Sequence, residues 1–350
     1  MSKNDISSVN SLISIIIINY NGIDYILDCV DSVFKTTNCN YEVLLIDNNS
    51  SDNSSKLCKE KYPEIRLFHN DKNLAMAARN TGIDEAKGDY FVFLDADTVV
   101  EPNWLNVLVK SCKKHGRGLY QGKLLKKDDN TILESCGDMT NIFGTGFARG
   151  RGQKDITQFE KFQKISFTVG ACTFSSADVF REIGYVDESN LFFLMLDDLD
   201  YGWRGWLLNI PSYYVPACVI YHVGSPTLQW NSKKFFFMER NRLICLFSLY
   251  SKKTLIKIFP LLFLYDVGVS LFLISKGMGI AKFTSVFSFL AMLPSVLKRR
   301  HLIQSKRKLE DKEIIKNFVD YVDIPSDMKS NSPIFGSIIK KLNKIARDLI

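Results

Sequence analysis

Short apolar runs alternate with longer amphipathic stretches over residues 12–115 of this chain. Each apolar run is followed by a helical periodicity, as expected when buried strands are connected by helices that cover a sheet. The runs at residues 12–19, 41–47, 65–69 and 90–94 are predicted strands, and residues 23–36, 51–62, 74–86 and 103–114 are predicted helices. This alternation predicts βα units, a mostly parallel sheet and the α/β class.

Polar side chains follow three of the predicted strands at the points where these strands end. Asn19 follows the first strand, Asp47 the second, and Asp95 and Asp97 the fourth. Ligands of open α/β sheets bind outside the carboxyl ends of the strands. We therefore expect these side chains to line one polar crevice.

The sequence YFVFLDADTVV at residues 90–100 sets two carboxylates at the open end of an apolar strand. Two such groups one residue apart can hold a divalent cation together with phosphate oxygens. The alternative is a solvated acidic turn or the cap of the next helix. Neither GxGxxG nor GxxxxGK(S/T) follows the first strand, so a nucleotide would be held by carboxylates and a metal rather than by a glycine-rich loop.

The middle of the chain is less regular. Strands are predicted at residues 119–125 and 131–135, before a loop at residues 144–152 that is rich in glycine and arginine. This loop is either a lid or a plain surface excursion. A strand at residues 168–174, helices at 176–183 and 197–208, and a strand near 213–215 complete this part of the prediction.

From residue 233 onward the chain becomes more apolar. Residues 255–275 and 277–297 approach the length of a membrane-spanning helix. They are interrupted by residues that suit a span poorly, which are Lys257, Pro260, Asp266, Gly277 and Lys282. Because charges inside a span are costly, we expect helices that lie in the membrane interface. A short spanning hairpin and a packed soluble subdomain are the alternatives.

The net charge of +7 is concentrated toward the C-terminus, where basic residues flank the apolar stretches. This pattern favours an anionic membrane surface over nucleic acid, because the protein grooves that bind nucleic acid combine cations with exposed aromatic residues. The eight cysteines have neither CxxC nor metal-ligand spacing, which predicts reduced thiols. No apolar signal region precedes the first strand. We therefore expect the cytoplasmic face of the cell membrane, with peripheral or monotopic attachment.

Several motifs occur in a fixed order along the chain. They are IIIINYNG (15–22), LLIDNNSSDNS (44–54), NLAMAARNTGI (73–83), DYFVFLDADTVVEPNWL (89–105), GACTFSSADVFREIGYVDE (170–188), FFLMLDDLDYGWR (192–204) and IYHVGSPT (220–227). On these motifs the chain resembles the inverting glycosyltransferases of family 2, particularly the branch that includes rhamnosyltransferase-like enzymes. An ordered series of this kind is far more specific than any one motif.

The resemblance implies a GT-A fold, a Rossmann-like sheet that binds a nucleotide sugar through a divalent metal. This domain would occupy residues 1–232, with a nucleotide-binding half at about 10–115 and an acceptor half at about 116–232. Residues 233–350 would form a helical, membrane-associating region with a charged tail.

The resemblance also implies roles at the donor site. Asp95 would lie beside the ribose and the metal, Asp97 would be a direct metal ligand, and His222 would complete the metal shell. Oxygen ligands with one imidazole suit Mn²⁺ or Mg²⁺. A lone histidine is more often structural, which is the alternative for His222.

Three further residues are assigned to the donor site. Asp47 would contact the nucleoside base, although it could equally close an Asx turn. Arg79 would lie near the nucleotide, or else on the surface of its helix. Asn19 belongs to the same strand-end group.

For the acceptor side, the resemblance assigns Asp198 as the general base. Relatives most often carry Glu-Asp where this chain has Asp197 and Asp198, so the role of Asp197 stays open. Trp203 could stack on an acceptor sugar or belong to the core. Asp200 and Arg204 stand four residues apart on the predicted helix and predict a structural ion pair.

These features favour an inverting, metal-dependent transferase that moves one sugar from a UDP-, dTDP- or GDP-linked donor to a lipid-linked glycan. A processive synthase is disfavoured because its QxxRW pattern is missing. The alternatives are a non-catalytic nucleotide-sugar-binding membrane scaffold and a sugar nucleotidyltransferase. The latter should carry a glycine- and lysine-rich loop after the first strand, where this chain has NYNG.

Overall fold

The computed structural model describes residues 9–187, 191–224, 231–323 and 333–350. The last positions of two sequence motifs, Glu188 and residues 225–227, lie outside the described residues. The strands are β1 Val9–Asn19, β2 Cys39–Asp47, β3 Arg66–His69, β4 Tyr90–Asp95, β5 Thr98–Val100, β6 Leu119–Lys126, β7 Leu133–Ser135, β8 Asp138–Thr140, β9 Gly146–Ala148, β10 Gln163–Ile165, β11 Cys172–Ser176 and β12 Ser212–His222.

Helices connect and cover these strands. They are α1 Ile26–Val33, α2 Ser54–Lys61, α3 Arg79–Glu85, α4 Trp104–His115, α5 Ala177–Ile183, α6 Asp197–Leu207, α7 Ser232–Leu249, α8 Lys252–Ser275, α9 Gly279–Ala291, α10 Leu293–Ser305, α11 Asp311–Ile314 and α12 Pro333–Asp348. Two short 3₁₀ turns, Ala75–Ala78 and Ile315–Asn317, precede α3 and follow α11. The α/β class and the C-terminal helices predicted from the sequence are confirmed.

The main sheet is mixed. Its order is β10-β12-β6-β11-β4-β1-β2-β3, with β5 paired to β12 and β7 paired to β6. The four strands β3, β2, β1 and β4 are parallel, whereas β11 runs antiparallel to β4. Ile15, Ile16 and Ile17 of β1 are all fully buried because helices pack on both faces of the sheet.

The strand register brings the predicted polar residues to one edge. Asn19 pairs with Asp47 across β1 and β2, and Ile18 pairs with Asp95 across β1 and β4. The carboxyl ends of three parallel strands therefore meet in one place, as the sequence predicted.

Several local predictions differ from the structure. The predicted helix at residues 74–86 starts as the Ala75–Ala78 turn, with Ala75 in the left-handed region at φ 48°. The predicted strand at 168–174 is instead β11, because a turn closed by Cys172 N–H and Val169 C=O occupies its first part. The glycine- and arginine-rich loop contains β9, which pairs with β8 as a hairpin.

The C-terminal helices share a hydrophobic core with the sheet domain. This core contains Leu199 and Trp203 of α6, Leu246 of α7 and Leu262 of α8. Arg299 of α10 also donates to the buried carboxylate of Asp200 at 2.6 Å. The predicted pair of Asp200 and Arg204 is confirmed at 2.9 Å.

Two charges that interrupt the apolar segments face the protein interior. Asp266 and Lys282 join Glu239 and Arg242 in a network of salt bridges, which we call the helical quartet. The outward faces of α8 and α9 are apolar and exposed at Ile256, Phe259, Phe263, Leu264, Val267, Leu271, Ile274, Ile280, Phe283, Phe287 and Leu290. By length and composition α8 could cross a membrane, and α9 with α10 could do so only as a pair bent by 65°.

Candidate active site at the strand ends

Asp95, Asp97 and His222 form a compact group that could hold a metal ion. One ligand atom from each lies within 4.8 Å of the others. His222 Nε2 is 3.1 Å from Asp97 Oδ1, a separation typical of two ligands on one ion. Two carboxylates and an imidazole fit a divalent cation such as Mn²⁺.

A short strand that the sequence did not reveal brings this group together. The chain turns after Asp95 and returns as β5, which pairs antiparallel to the end of β12 with Thr98 opposite His222. The Thr98 hydroxyl donates to the Asp95 carbonyl at 2.8 Å and fixes the turn. Thr98, Val99 and Val100 are only three residues and all are β-branched, so the sequence is typical of the end of one strand rather than of a second strand.

Glu134 lies behind His222 and was not singled out from the sequence. Its Oε1 is 3.6 Å from His222 Nδ1, on the side of the ring away from Asp97. Burial acts to lower the pKa of His222, but the contacts with Asp97 and Glu134 outweigh it and raise this pKa to about 10. A metal must displace that proton, so metal affinity should increase with pH.

Arg79 is buried and contacts three carboxylates, so it does not lie on the surface of its helix. Its guanidinium lies 2.9 Å from Asp95, 3.4 Å from Asp197 and 3.8 Å from Asp198. A Cβ on Gly170 would lie 2.1 Å from Arg79 Nη2, so the absence of a side chain at this glycine makes room for the arginine. Arg79 thus joins the metal group to the start of α6, and its charge is already engaged by three carboxylates.

Asp197 and Asp198 stand in the first turn of α6. The Asp197 side chain is 5% exposed, whereas the Asp198 side chain is 28% exposed. Burial raises the pKa of both carboxyl groups, and the neighbouring Arg79 opposes that rise. A carboxylate that is partly open and has a raised pKa is suited to accept a proton, which favours Asp198 over Asp197 as a base.

The loop that leads into α6 has an unusual backbone. Phe193, Met195 and Leu196 have φ values of 61°, 68° and 60°, in the left-handed region that non-glycine residues rarely adopt. The Asn241 amide of α7 donates to the carbonyls of Leu194 and Met195, both at 2.7 Å. These bonds hold the loop in this conformation and so place α6.

A second set of hydrogen bonds holds the same loop. The Asp187 carboxylate accepts from the backbone N–H groups of Leu191 and Phe192 at 2.7 and 2.9 Å. Arg240 donates to the carbonyl of Phe192 at 2.8 Å. Neither Asp187 nor Arg240 was identified from the sequence. Arg240 acts on backbone 48 residues away, and Asp187 binds an irregular loop that has no periodicity to reveal it.

Asp47 and Asn19 occupy the other side of the strand ends. Asp47 Oδ1 accepts from the Ser50 N–H at 3.3 Å, the Asx-type contact expected from the sequence, and Oδ2 lies 3.0 Å from His69 Nδ1. Asn19 is fully buried and donates to Ser54 and Ser55. Its side chain therefore ties the end of β1 to the first turn of α2 and does not face a crevice.

Trp203 is not placed to stack on an acceptor sugar. It is 1% exposed and packs edge-on against Tyr250 and Phe318, with both ring centroids 4.8 Å away. The helical periodicity of α6 turns this tryptophan into the core shared with the C-terminal helices. The assignment of Trp203 to the acceptor site was wrong for this reason.

A cavity of about 370 Å³ opens from the acidic group. Asp95, Asp198 and His222 line it together with Glu134 and Asp138. Apolar side chains from α7, α8 and α12 line it as well, among them Met238, Val269 and Ile339. The site therefore combines a metal group, a candidate base and an apolar wall.

Comparisons with known sequences agree with this geometry. Residues 14–184 match the model of the glycosyl transferase family 2. Over 126 residues the chain is 30% identical to the glycosyltransferase GlyG of Streptococcus pneumoniae, a match that covers 35% of this chain and 42% of that protein. Over 106 residues it is 39% identical to the uncharacterized glycosyltransferase YibD of Escherichia coli, covering 29% and 30% of the two chains. The matches thus span less than half the length of these relatives.

Two solved structures share the fold at low sequence identity. One is GalNAc-T7 with UDP, GalNAc and Mn²⁺, with a TM-score of 0.55, 17% identity and coverage of 72% of this chain and 51% of that chain. The other is the mannosyltransferase PcManGT from Pyrobaculum calidifontis in complex with GDP-Man and Mn²⁺, with a TM-score of 0.51, 14% identity and coverage of 98% and 87%. The fold is therefore GT-A.

Proposed function

We propose that this chain, whose residues 14–184 carry the family 2 glycosyl transferase signature, transfers one sugar from a nucleoside diphosphate donor to an acceptor hydroxyl. The observation that carries the proposal is the convergence of Asp95, Asp97 and His222 beside a cavity that Asp198 also lines. A metal group and a base around one cavity are what a sugar transfer from a diphosphate requires. The two structures that share the fold are described with UDP or GDP-Man and with Mn²⁺.

The donor would lie across the carboxyl ends of β1, β2 and β4. Asp97 and His222, with the oxygen of Asp95 that Arg79 leaves open, would hold Mn²⁺ or Mg²⁺. When bound, the cation supplies Lewis-acid stabilisation of the departing diphosphate. Asp47, at the end of β2, is the proposed contact of the nucleoside base.

Asp198 is the proposed general base. Its carboxylate accepts the proton of the acceptor hydroxyl as that oxygen attacks the anomeric carbon, and the bond from this carbon to the diphosphate oxygen breaks on the opposite face. Such a single displacement inverts the anomeric centre. Arg79 acts through the carboxylates, because it holds Asp95 and approaches Asp198 at 3.8 Å.

We further propose that the protein works at the cytoplasmic face of a membrane on a lipid-linked glycan. The exposed apolar faces of α8 and α9 support an in-plane arrangement, because Asp266 and Lys282 turn inward to the helical quartet. Lys252, Lys253 and Lys276 at the ends of α8 would meet anionic headgroups. A rhamnosyl donor and the rhamnosyltransferase-like branch stay predictions.

Donor binding can be tested with the purified full chain. We expect UDP, dTDP or GDP to bind in a titration calorimeter only when MnCl₂ is present, and Asp97→Asn to weaken that binding at least about tenfold because a ligand charge is lost. Asp178→Asn, at an exposed aspartate of α5 beyond the opposite edge of the sheet, is the matched control and should leave nucleotide binding unchanged.

Three outcomes would contradict the proposal. Nucleotide binding that is indifferent to Mn²⁺ and to Asp97→Asn would remove the metal site. Release of pyrophosphate from a nucleoside triphosphate and a sugar phosphate would instead support a nucleotidyltransferase. If the chain binds a donor but transfers no sugar when membrane extract is supplied as acceptor, the result would favour the non-catalytic scaffold.

A further inference from the structure

The cavity beside the candidate base is amphiphilic. Its acidic part is contributed by the strand ends and by α6, including Asp95 and Asp198. Its apolar part is contributed by the C-terminal helices, through Met238 of α7, Val269 and Leu273 of α8, and Ile339 of α12. A sugar alone would have no use for this second part, because hydroxyl groups gain nothing from hydrocarbon contacts.

The cavity extends on the acceptor side of the metal group. Asp198, the proposed base, is among its lining residues, whereas Asp47, the proposed contact of the donor base, is not. The apolar wall is therefore continuous with the position of the attacking hydroxyl, whereas the proposed contact of the nucleoside base lies outside the cavity.

The carboxylate that α7 contributes to the cavity is paired with two cations. Glu239 of α7 lines the cavity, but it is 2.9 Å from Arg242 and forms a second salt bridge with Lys282 at 2.5 Å. A hydrocarbon chain placed here would not have to displace water from an unpaired carboxylate.

Helix α8 separates this wall from the exposed apolar surface. Val269 and Leu273 line the cavity on one side of the helix. Val267, Leu271 and Ile274 are 41%, 63% and 50% exposed on the other side. The same helix therefore presents one apolar side to the cavity and another to the surface that would contact a bilayer.

We propose that the apolar part of this cavity binds the first portion of the hydrocarbon chain of an amphiphilic acceptor, with its hydroxyl-bearing head at Asp198. This inference rests on the proposed function and adds a chain-binding subsite to it. A volume of about 370 Å³ is within the usual size of a small-molecule site. The chain could be isoprenoid or acyl, since both are apolar and flexible.

The subsite can be tested with soluble probes on the full chain in the presence of MnCl₂ and nucleotide. Farnesyl phosphate represents an isoprenoid chain, dodecyl phosphate an alkyl chain, and isopentenyl phosphate a head with a chain too short to fill the wall. We expect at least one long-chain probe to bind about tenfold more tightly than isopentenyl phosphate, as each buried methylene adds to the affinity. The preferred long chain then identifies the source.

A filled cavity should abolish that preference. Val269→Trp places a large side chain in the apolar part, and we expect it to weaken long-chain binding at least about tenfold. Val267→Trp, two residues away on the exposed face of the same helix, is the matched control and should keep the wild-type affinity. Val269→Phe serves as a second variant if the tryptophan lowers the melting temperature.

The outcomes separate this inference from the proposed function. If nucleotide and Mn²⁺ bind normally but the long-chain probes bind no better than isopentenyl phosphate, the subsite is wrong and the proposed function stands. Equal losses in Val269→Trp and Val267→Trp would mean that the probes bind the outer face, and would also overturn the subsite. Failure of nucleotide binding in the wild-type chain would instead contradict the proposed function.

Discussion

Two clusters of charge border the same cavity and differ in their balance. The strand-end cluster contains four aspartates around one arginine and one histidine, which are Asp95, Asp97, Asp197, Asp198, Arg79 and His222. The helical quartet contains two acids and two bases, Glu239, Asp266, Arg242 and Lys282. The first cluster has a surplus of negative charge, and the second has none.

The balance of positive and negative charges in each cluster decides whether the pKa of a buried carboxyl group rises or falls. Burial alone raises the pKa of a carboxyl in either cluster. For Glu239 the contacts with Arg242 and Lys282 outweigh burial, and its pKa falls to about 2. For Asp197 burial and repulsion from Asp198 outweigh Arg79, and its pKa rises. In a balanced cluster the charges neutralise one another without a ligand. A cluster with a surplus of carboxylates is neutralised only by an external cation or by protons, which suits a metal site or a general base.

The largest effect is expected at the surplus carboxylate that is open to the cavity. Asp198→Asn keeps the shape but removes the base, so the rate of sugar transfer should fall by about 10²- to 10⁴-fold. Incorporation of labelled sugar from the donor into membrane extract measures this rate. Calorimetric binding of nucleotide and Mn²⁺ should stay within about threefold of the wild type, because Asp198 is not a proposed ligand.

Asp200→Asn in the next part of α6 provides the contrast, since its carboxylate pairs with Arg204 and Arg299. That variant should lose stability and keep the rate per folded molecule. Unchanged transfer by Asp198→Asn, with folding intact, would end the assignment of the base.

The balanced quartet should respond in stability rather than in chemistry. Arg242→Met leaves Glu239 and Asp266 with Lys282 alone, and removal of one partner from a buried network costs about 3–5 kcal/mol. Replacement of all four residues by apolar ones of similar size should recover most of that loss. Chemical denaturation of the single and the fourfold variant measures both values.

The opposite order of these stabilities would show that the quartet is not a closed network. Arg66→Met is a useful comparison, because this arginine pairs with Glu42 and Glu85 nearer the surface. Ion pairs that water reaches contribute less than fully buried ones, so the loss of unfolding free energy in Arg66→Met should be smaller than in Arg242→Met.

The strand-end cluster was largely foreseeable from the sequence. Asp95 and Asp97 follow an apolar run, and the register of the parallel strands necessarily brings the end of that run to the edge where β1 and β2 also end. The pairing of His222 with Asp97 depended on β5, whose three residues are too few to be distinguished by periodicity. The place of His222 at the metal site was therefore inferred only from the family resemblance.

The helical region shows what a sequence pattern cannot supply. Asp266 and Lys282 interrupt apolar segments, which predicts poor membrane spans, but only the packing of α7, α8 and α9 shows that these charges face one another. The same limitation applies to Trp203, because a tryptophan on an amphipathic helix suits a sugar or a core equally until the neighbouring helices are placed. Long-range contacts decided these cases, and local periodicity carries no information on them.

A smaller effect is expected from the residue behind the metal group. Glu134→Gln keeps the size of the side chain near His222 Nδ1 but removes its charge, so Mn²⁺ affinity should fall about tenfold. Titration calorimetry with MnCl₂ alone measures this directly. Glu182→Gln, in a surface ion pair with Arg117, is the control and should leave Mn²⁺ affinity unchanged. An equal loss in both variants would separate Glu134 from the metal site.

The last expected effect is on the pH dependence of stability alone and concerns Asp138, a cavity acid whose hydrogen-bond partner is the Ser135 hydroxyl rather than a cation. Burial raises its pKa from 3.8 to about 7, so the unfolded chain loses this proton at a lower pH than the folded protein. Its stabilising contribution is complete below pH 3.8 and is lost as the pH rises to about 7, at up to about 1.4 kcal/mol per pH unit. The unfolding free energy should be measured between pH 4.5 and 6.5, which lies between the pKa values of Asp138 in the unfolded and the folded chain. Asp138→Asn should remove the part of the pH dependence that this carboxyl contributes. Asp24→Asn, at an exposed position, is the control and should leave the pH dependence unchanged. An unchanged slope in Asp138→Asn would mean that a cation already balances this acid, and that the surplus of negative charge ends at Asp198.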